Sequence, residues 1–188
     1  MNKLMISFKQ HTFALVAFSS YLLLASFSTE AQTCLSDSMT ETTPDTQFVV
    51  HGDGTITDTS TALMWKQCLE GLNGIQCQNG ILNETNWSDA LNIPHALNNS
   101  GGFAGYADWR LPNIAELVSL VEEQCSSPAI NESVFPNTSN KFSWTGSPDY
   151  YNDTATWSVD FNIGATGSIT RETSGGNNYP IRLVRSAN

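Results

Sequence analysis

The residues of this chain that could do chemistry are few and scattered. Its three histidines are His11, His51 and His95, and none falls in a catalytic motif. His51 sits in a Gly/Asp turn and His95 follows Pro94, so both read as surface or capping residues rather than general bases. The sequence holds no G-x-S-x-G elbow, no H-E-x-x-H pair, no phosphate-binding loop and no EF-hand loop. The chain is therefore expected not to be an enzyme. Acidic turn residues offer a different chemistry. Asp53 and Asp58 flank one turn, and Asp149, Asp153 and Asp160 gather near the later strands. Calcium wants roughly six to eight oxygens, and no loop here spaces its ligands to supply them. Solvated carboxylates are the favoured reading. No cofactor is expected, and calcium is the one candidate ion.

Binding chemistry is better represented. Pro148-Asp149-Tyr150-Tyr151-Asn152-Asp153 and the run Arg171–Tyr179 are turn-rich segments that carry aromatics. Tyrosine gives wide contact area and Asn adaptable hydrogen bonds, and loops on a rigid scaffold commonly carry function. Tyr150, Tyr151, Asn152, Asp153, Asn177, Asn178 and Tyr179 are thus the candidate ligand-binding residues. Arg110, Arg182 and Arg185 stand out in a chain poor in bases. A guanidinium fork could hold a ligand. The favoured reading is ion pairing with Asp108, Glu116 or Asp160, which would lock loops to the core.

The chain carries 18 acidic residues against 8 Lys and Arg, a net charge of −10. Residues 1–31 read as a secretory leader: Lys3 and Lys9, then an apolar Phe13–Phe27 run, then small residues at Thr29 and Ala31. A transmembrane anchor is the weaker reading, because the run falls short of the roughly 20 residues a bilayer needs and Ser19, Ser20 and Ser26 interrupt it. A lipoprotein is disfavoured because Ala31-Gln32-Thr33-Cys34 lacks the aliphatic residue that a lipobox usually carries. Cleavage after Ala31 would remove Lys3, Lys9 and Glu30, leaving 17 acids and 6 bases. Such a surface repels nucleic acid, anionic lipid and sulfated polysaccharide. The product is expected to be periplasmic, secreted or cell-surface associated, with no stable membrane anchor.

All four cysteines, Cys34, Cys68, Cys77 and Cys125, follow the leader. An even count in an exported chain favours disulfides. The Cys68…Cys77 loop, with Gly71 and Gly74 inside it, closes easily, which leaves Cys34 with Cys125. The other two pairings stay open on sequence grounds. Zinc is disfavoured, since no C-x-x-C pair exists.

The elements that must position these residues follow from pattern. Residues 32–47 read as a polar tail fastened by Cys34. Phe48–Val50 and Thr55–Thr57 flank His51-Gly52-Asp53-Gly54, a hairpin signal. Ala62–Lys66 reads as a strand and residues 69–85 as a Gly/Asn loop. A first helix begins near Trp87 with Asn86 as its N-cap, and Pro94 should end or kink it. Residues 98–107 lead to a second helix over about Asn113–Glu123. Pro112 fixes its entry, and Asn113 with Glu116 forms a capping-box variant. Ile114, Leu117, Leu120 and Val121 give it one apolar face. Trp65, Trp109, Trp144 and Trp157 read as core residues, with a buried-looking Arg110 beside Trp109. Later, Trp157, Val159 and Phe161 alternate with Ser158 and Asp160, and Ile181 and Leu183 alternate with Arg182 and Val184. Strands, two helices, then strands make an α+β arrangement.

Four blocks, in order, resemble the Lcl C-terminal domain family, named after a bacterial collagen-like adhesin. They are Thr55–Lys66, Asn86–Leu91, Asp108–Leu117, and a last block spanning Phe135–Thr138, Phe142–Ser147, Trp157–Phe161 and Pro180–Arg185. The resemblance covers residues 48–186. It implies a C-type-lectin-like fold, also like that of formylglycine-generating enzymes, with two helices packed on short antiparallel strands and long loops. It assigns a structural role to Trp65, Trp109, Arg110, Pro112, Glu116, Trp144, Trp157, Arg182 and Arg185. Ala62 stands where the family usually has Gly, and Pro94 interrupts a usually cleaner helix. The oxygen-activating relatives use paired cysteines in the C-terminal part, and none follows Cys125 here. The resemblance also implies a bacterial setting, in which the sequons at Asn83, Asn86, Asn98, Asn131, Asn137 and Asn152 are chance matches. The family's name-giving adhesin engages sulfated polysaccharide, which an acidic chain opposes. The expectation is thus an exported binding or adhesion module for a neutral glycan or a protein. The alternatives are a structural subunit of a surface assembly or a periplasmic enzyme-like factor.

Overall fold

A computed structural model describes residues 31–171 and 176–188. Residues 1–30 of the expected leader and residues 172–175 of the second candidate loop lie outside the described residues. The strands in chain order are β1 (Thr33–Cys34), β2 (Phe48–Val50), β3 (Thr55–Asp58), β4 (Leu63–Lys66), β5 (Leu72–Asn73), β6 (Asn79–Gly80), β7 (Cys125–Ser126), β8 (Phe142–Pro148), β9 (Ala155–Asp160), β10 (Ala165–Thr170) and β11 (Val184–Ser186). The helices are α1 (Trp87–Asn99) and α2 (Ile114–Val118). A four-stranded sheet runs β11-β4-β3-β2 and a three-stranded sheet β10-β9-β8, with two small ribbons, β1-β7 and β5-β6. All pairs are antiparallel. The architecture is α+β, mostly sheet.

The hairpin expected around His51–Gly54 forms with Phe48 opposite Asp58 and Val50 opposite Ile56. Its continuation to β4 turns at Asp58, whose carboxylate accepts from the Ser60 amide (2.9 Å), the Ser60 hydroxyl (2.7 Å) and the Thr61 hydroxyl (2.8 Å). Ala62 closes this turn at φ 56°, a left-handed conformation that Gly adopts freely and Ala does not. The strain relieved by Ala62→Gly, on the order of 1–2 kcal/mol, exceeds the roughly 0.4–1 kcal/mol of extra unfolded-chain entropy. Ala62→Gly should therefore stabilise the fold by about 0.5–1 kcal/mol, read by urea titration.

Two helices differ from expectation. Pro94 does not end α1, which continues to Asn99. The proline forfeits one backbone bond, but both ends of the helix are held. Asn86 caps the start by accepting from the Asp89 amide (3.0 Å). Near the end, the Asn98 side chain clasps Trp109, donating to its carbonyl (2.8 Å) and accepting from its amide (3.1 Å). α2 is shorter than predicted. Its capping box is present, with Asn113 and Glu116 bonding each other's amides. After Val118 the chain tightens, the Val121 amide reaching back to the Val118 carbonyl (2.9 Å), and Val121 then bridges to Ile130.

Two apolar clusters fill the interior. The first joins Phe48, Ile56 and Trp65 to Leu117, Leu120, Val159, Phe161 and Val184. The second joins Met64, Ala90, Trp109, Leu111 and Trp144 to Ile181 and Leu183. The final segment is therefore not apolar on one face only, because residues 181–185 are buried throughout. Trp157 is half-buried and belongs to neither cluster. Val159 and Phe161 do face the first core, whereas Trp157 lies opposite Ser168 of the edge strand β10. Both disulfides form, Cys68–Cys77 and Cys34–Cys125. The second ties the 32–47 segment to β7. Asn86, Asn98, Asn131, Asn137 and Asn152 each spend their side chain on an internal hydrogen bond.

Candidate binding surface

β8 and β9 are joined by a loop held by the side chains of Asp149 and Asn152. Asp149 accepts from the Ser168 hydroxyl (2.5 Å) and the Tyr151 amide (2.9 Å). The Ser168 bond, then the Tyr151 amide, holds the Asp149 carboxyl below its ordinary range. Asn152 accepts from the Thr154 amide (3.1 Å) and hydroxyl (2.7 Å). Backbone bonds from Asp149 and Ala155 close the loop's base. With Asp149 and Asn152 engaged in this way, the loop presents two aromatic rings outward. Tyr150 is 90% exposed and Tyr151 91%. Their centroids lie 5.2 Å apart, edge to face. Asn152 and Asp153 are exposed beside them.

Arg171 ties this loop to α1. Its amide donates to the Thr154 carbonyl (2.9 Å), and its guanidinium lies 4.3 Å from the Trp87 ring centroid. Trp87, half-buried at the start of α1, donates its indole N–H to the Thr145 carbonyl of β8 (2.8 Å). Such stacking is worth about 0.5–1 kcal/mol at an exposed site. Sequence reasoning missed Arg171 and Trp87 as partners in this surface, since nothing in their spacing brings residues 87 and 171 together.

The second candidate loop divides. Asn178 is exposed, while the Asn177 amide donates to the Thr170 carbonyl (3.1 Å) and hydroxyl (3.0 Å). Tyr179 is not a free loop aromatic. It is half-buried, 5.1 Å from Trp144 and 5.6 Å from Phe142, and its backbone bridges Thr85. Tyr179 thus walls the second core, whereas Tyr150 and Tyr151 touch no core residue cluster.

The arginines sort into three environments. Arg110 is exposed rather than buried, and forks onto Glu116 at 2.7 and 2.8 Å. That pair, first, lowers the Glu116 carboxyl. Arg185 is buried, bonded to Asp108 (2.7 Å) and 4.0 Å from the Tyr106 ring. Its bond pulls the Asp108 carboxyl down. Arg182 is buried without a carboxylate partner. It donates to the carbonyls of Lys66 and Gln67 and to the Thr138 hydroxyl. Asp160 pairs with none of them. Among the described residues no three His, Cys, Asp or Glu side chains converge on a metal-sized space.

A groove that sequence reasoning did not find lies between the β2–β3 turn and the Cys68–Cys77 loop. It encloses about 370 Å³ and is lined by Val50, Asp53, Lys66, Leu72, Ile75 and Phe103, among others. Lys66 and Glu70 pair at 2.5 Å beneath it, both buried. The available signal was a charged pair, Lys66 and Glu70, four residues apart in the mostly apolar run Leu63–Glu70.

Compared with known families, the model of the Lcl C-terminal domain matches residues 54–185. No curated protein matches the chain.

Proposed function

The chain belongs to the Lcl C-terminal domain family, and on that premise we propose that it is an exported, non-enzymatic binding module. It recognises a neutral glycan or a protein through the Tyr150–Tyr151 loop and the adjoining Arg171–Trp87 stack. The observation that carries this reading is the near-complete exposure of two adjacent tyrosines on a loop pinned from beneath. A monomer gains nothing from leaving such rings in water. Tyr, Trp and Arg are also the residues that most often anchor interfaces. The fold is of the C-type-lectin-like kind, supported by short antiparallel strands, two helices and long loops. Export is supported by the leader pattern and by two disulfides, which persist in oxidising compartments. Among the described residues no helix is long and apolar enough to cross a membrane.

Tyr150→Ala and Tyr151→Ala should each weaken partner binding by about tenfold or more. Neither should move the melting temperature by more than about 2 °C, since exposed substitutions away from packed features usually stay within about 0.5 kcal/mol. A glycan array and a pull-down with the disulfide-bonded protein supply the partner. Binding that survives both substitutions, or that prefers heparin-like polyanions at physiological salt, overturns the reading.

A further inference from the structure

We propose that the groove between the β2–β3 turn and the Cys68–Cys77 loop is a separate binding site, for a small aliphatic carboxylate. Its volume of about 370 Å³ lies in the range of small-molecule pockets. Two covalently or backbone-fixed walls shape it. One is the turn at Gly52–Gly54, where a side chain at Gly54 would approach Phe103 to 2.9 Å, so only Gly leaves room for the Phe103 ring. The other is the loop closed by Cys68–Cys77. Val50, Leu72 and Ile75 supply apolar walls, and Ile75 is 82% exposed.

The charge beneath the groove selects the head group. The Lys66 ammonium sits 4.4 Å from the Phe103 centroid. Of its three N–H donors, one serves Glu70, and the others have no acceptor among the described residues. Behind it, Arg182 is 1% exposed and bonds the carbonyls of Lys66 and Gln67, two residues that line the groove. Its Nε has no hydrogen-bond partner among the described residues. Burial pulls Arg182 down to about 9, opposed by the charge of Glu70. Two interior cations thus share one interior carboxylate. The one acid in the lining, Asp53, is exposed and bonded to the Thr55 amide and hydroxyl, so water screens it. In a chain of net charge −10, this interior excess of positive charge is local. A carboxylate accepting from the free Lys66 donors would balance it, with the aliphatic chain along Val50, Leu72 and Ile75. An ammonium head would add a third cation, and a hydroxyl would bring no charge.

Octanoate, octanol and octylammonium, titrated into the disulfide-bonded protein and followed by NMR, test this. Octanoate should bind saturably, shift the Ile75 and Phe103 signals, and bind about tenfold or more tighter than either control. The double substitution Lys66→Met with Glu70→Leu leaves neither partner of the pair buried alone. Arg182 stays, but it does not line the groove and its terminal nitrogens are spent on the Lys66 and Gln67 carbonyls and the Thr138 hydroxyl, so loss of the Lys66 donors should remove the preference for octanoate over octanol. Tyr150→Ala should leave octanoate binding unchanged, which separates this site from the tyrosine surface. Equal affinity for the three probes, no saturable binding, or a preference that survives the double substitution each overturns the proposal. The probe comparison on the unsubstituted protein decides it even if the double variant fails to fold.

Discussion

Trp109→Ala should cost about 3–5 kcal/mol of stability, the usual range for emptying a buried aromatic site. Trp109 is 2% exposed and packs in the second core with Ala90, Leu111, Trp144 and Leu183. Its ring meets Phe103 edge-on at 5.9 Å, and its indole N–H donates to the Phe103 carbonyl (3.1 Å). The substitution therefore does more than leave a cavity. It strips a hydrogen bond from the loop that carries Phe103, while the Asn98 clasp on the Trp109 backbone has nothing to brace. For a domain of this size the melting temperature should fall on the order of 10 °C. Arg110→Ala, one residue along, is the contrast. Its fork onto Glu116 is exposed and water-screened, so the loss should stay under about 1 kcal/mol. Thermal and urea melts of the two variants read the difference directly. A Trp109→Ala protein that melts like the unsubstituted chain would mean that this tryptophan does not brace the core.

Why Trp109 was legible and Arg182 was not follows from where their information lies. Trp109 stands immediately before a helix start marked by Pro112, Asn113 and Glu116, and the capping box forms from those local residues. The β2–β3 hairpin was likewise written into four consecutive turn residues. The Cys68–Cys77 pairing was a matter of short loop length. Each of these is short-range chemistry. Arg182 looked like an ion-pair member, and only the tertiary fold shows carbonyls from residues 66 and 67 arriving to receive it. Tyr179 looked like a loop tyrosine, because its neighbours are Asn and Pro. Its actual partner, Trp144, is brought to it by strand β8. The groove over Lys66 is assembled from three separate segments, around residues 50–54, 66–75 and 103. Its residue types announce nothing until the disulfide loop is folded beside the hairpin turn. Trp157 failed for a subtler reason. Alternation gives the correct face of β9, but not which end of that face the core covers.

Acidification should release the 32–47 segment before the rest of the molecule unfolds, and Glu122 should be the trigger. This carboxylate is buried, and it is ringed by donors. The Thr42 amide reaches both of its oxygens at 3.0 Å, the Thr43 amide lies at 2.7 Å, the Thr42 and Thr43 hydroxyls at 3.1 and 2.9 Å, and the Gln124 amide at 3.0 Å. Burial is the largest single influence and pushes its pKa up, but the amides of Thr42, Thr43 and Gln124 and the Thr43 hydroxyl together outweigh it. The Glu122 carboxyl is held below its ordinary range. A group whose folded pKa is depressed contributes stability that is complete above its unfolded value, about 4.3 for Glu. That stability is lost as pH falls through the folded value. Hydrogen bonds to a charged acceptor are worth about 1.5–3 kcal/mol, so Glu122→Gln should lose on the order of that at neutral pH. Asp45, Asp108 and Glu116 are lowered as well, so acid weakens the fold by several routes. The difference between the unsubstituted chain and Glu122→Gln isolates this one. That difference should be largest near neutrality and shrink toward zero well below about pH 4. Because Cys34–Cys125 keeps the segment tethered, the event is a local undocking. Amide exchange at Thr42 and Thr43 should rise in acid and should rise at neutral pH in the Gln variant. If the stability difference stays constant down to the lowest pH at which the protein folds, Glu122 is not the charged staple that this geometry makes it.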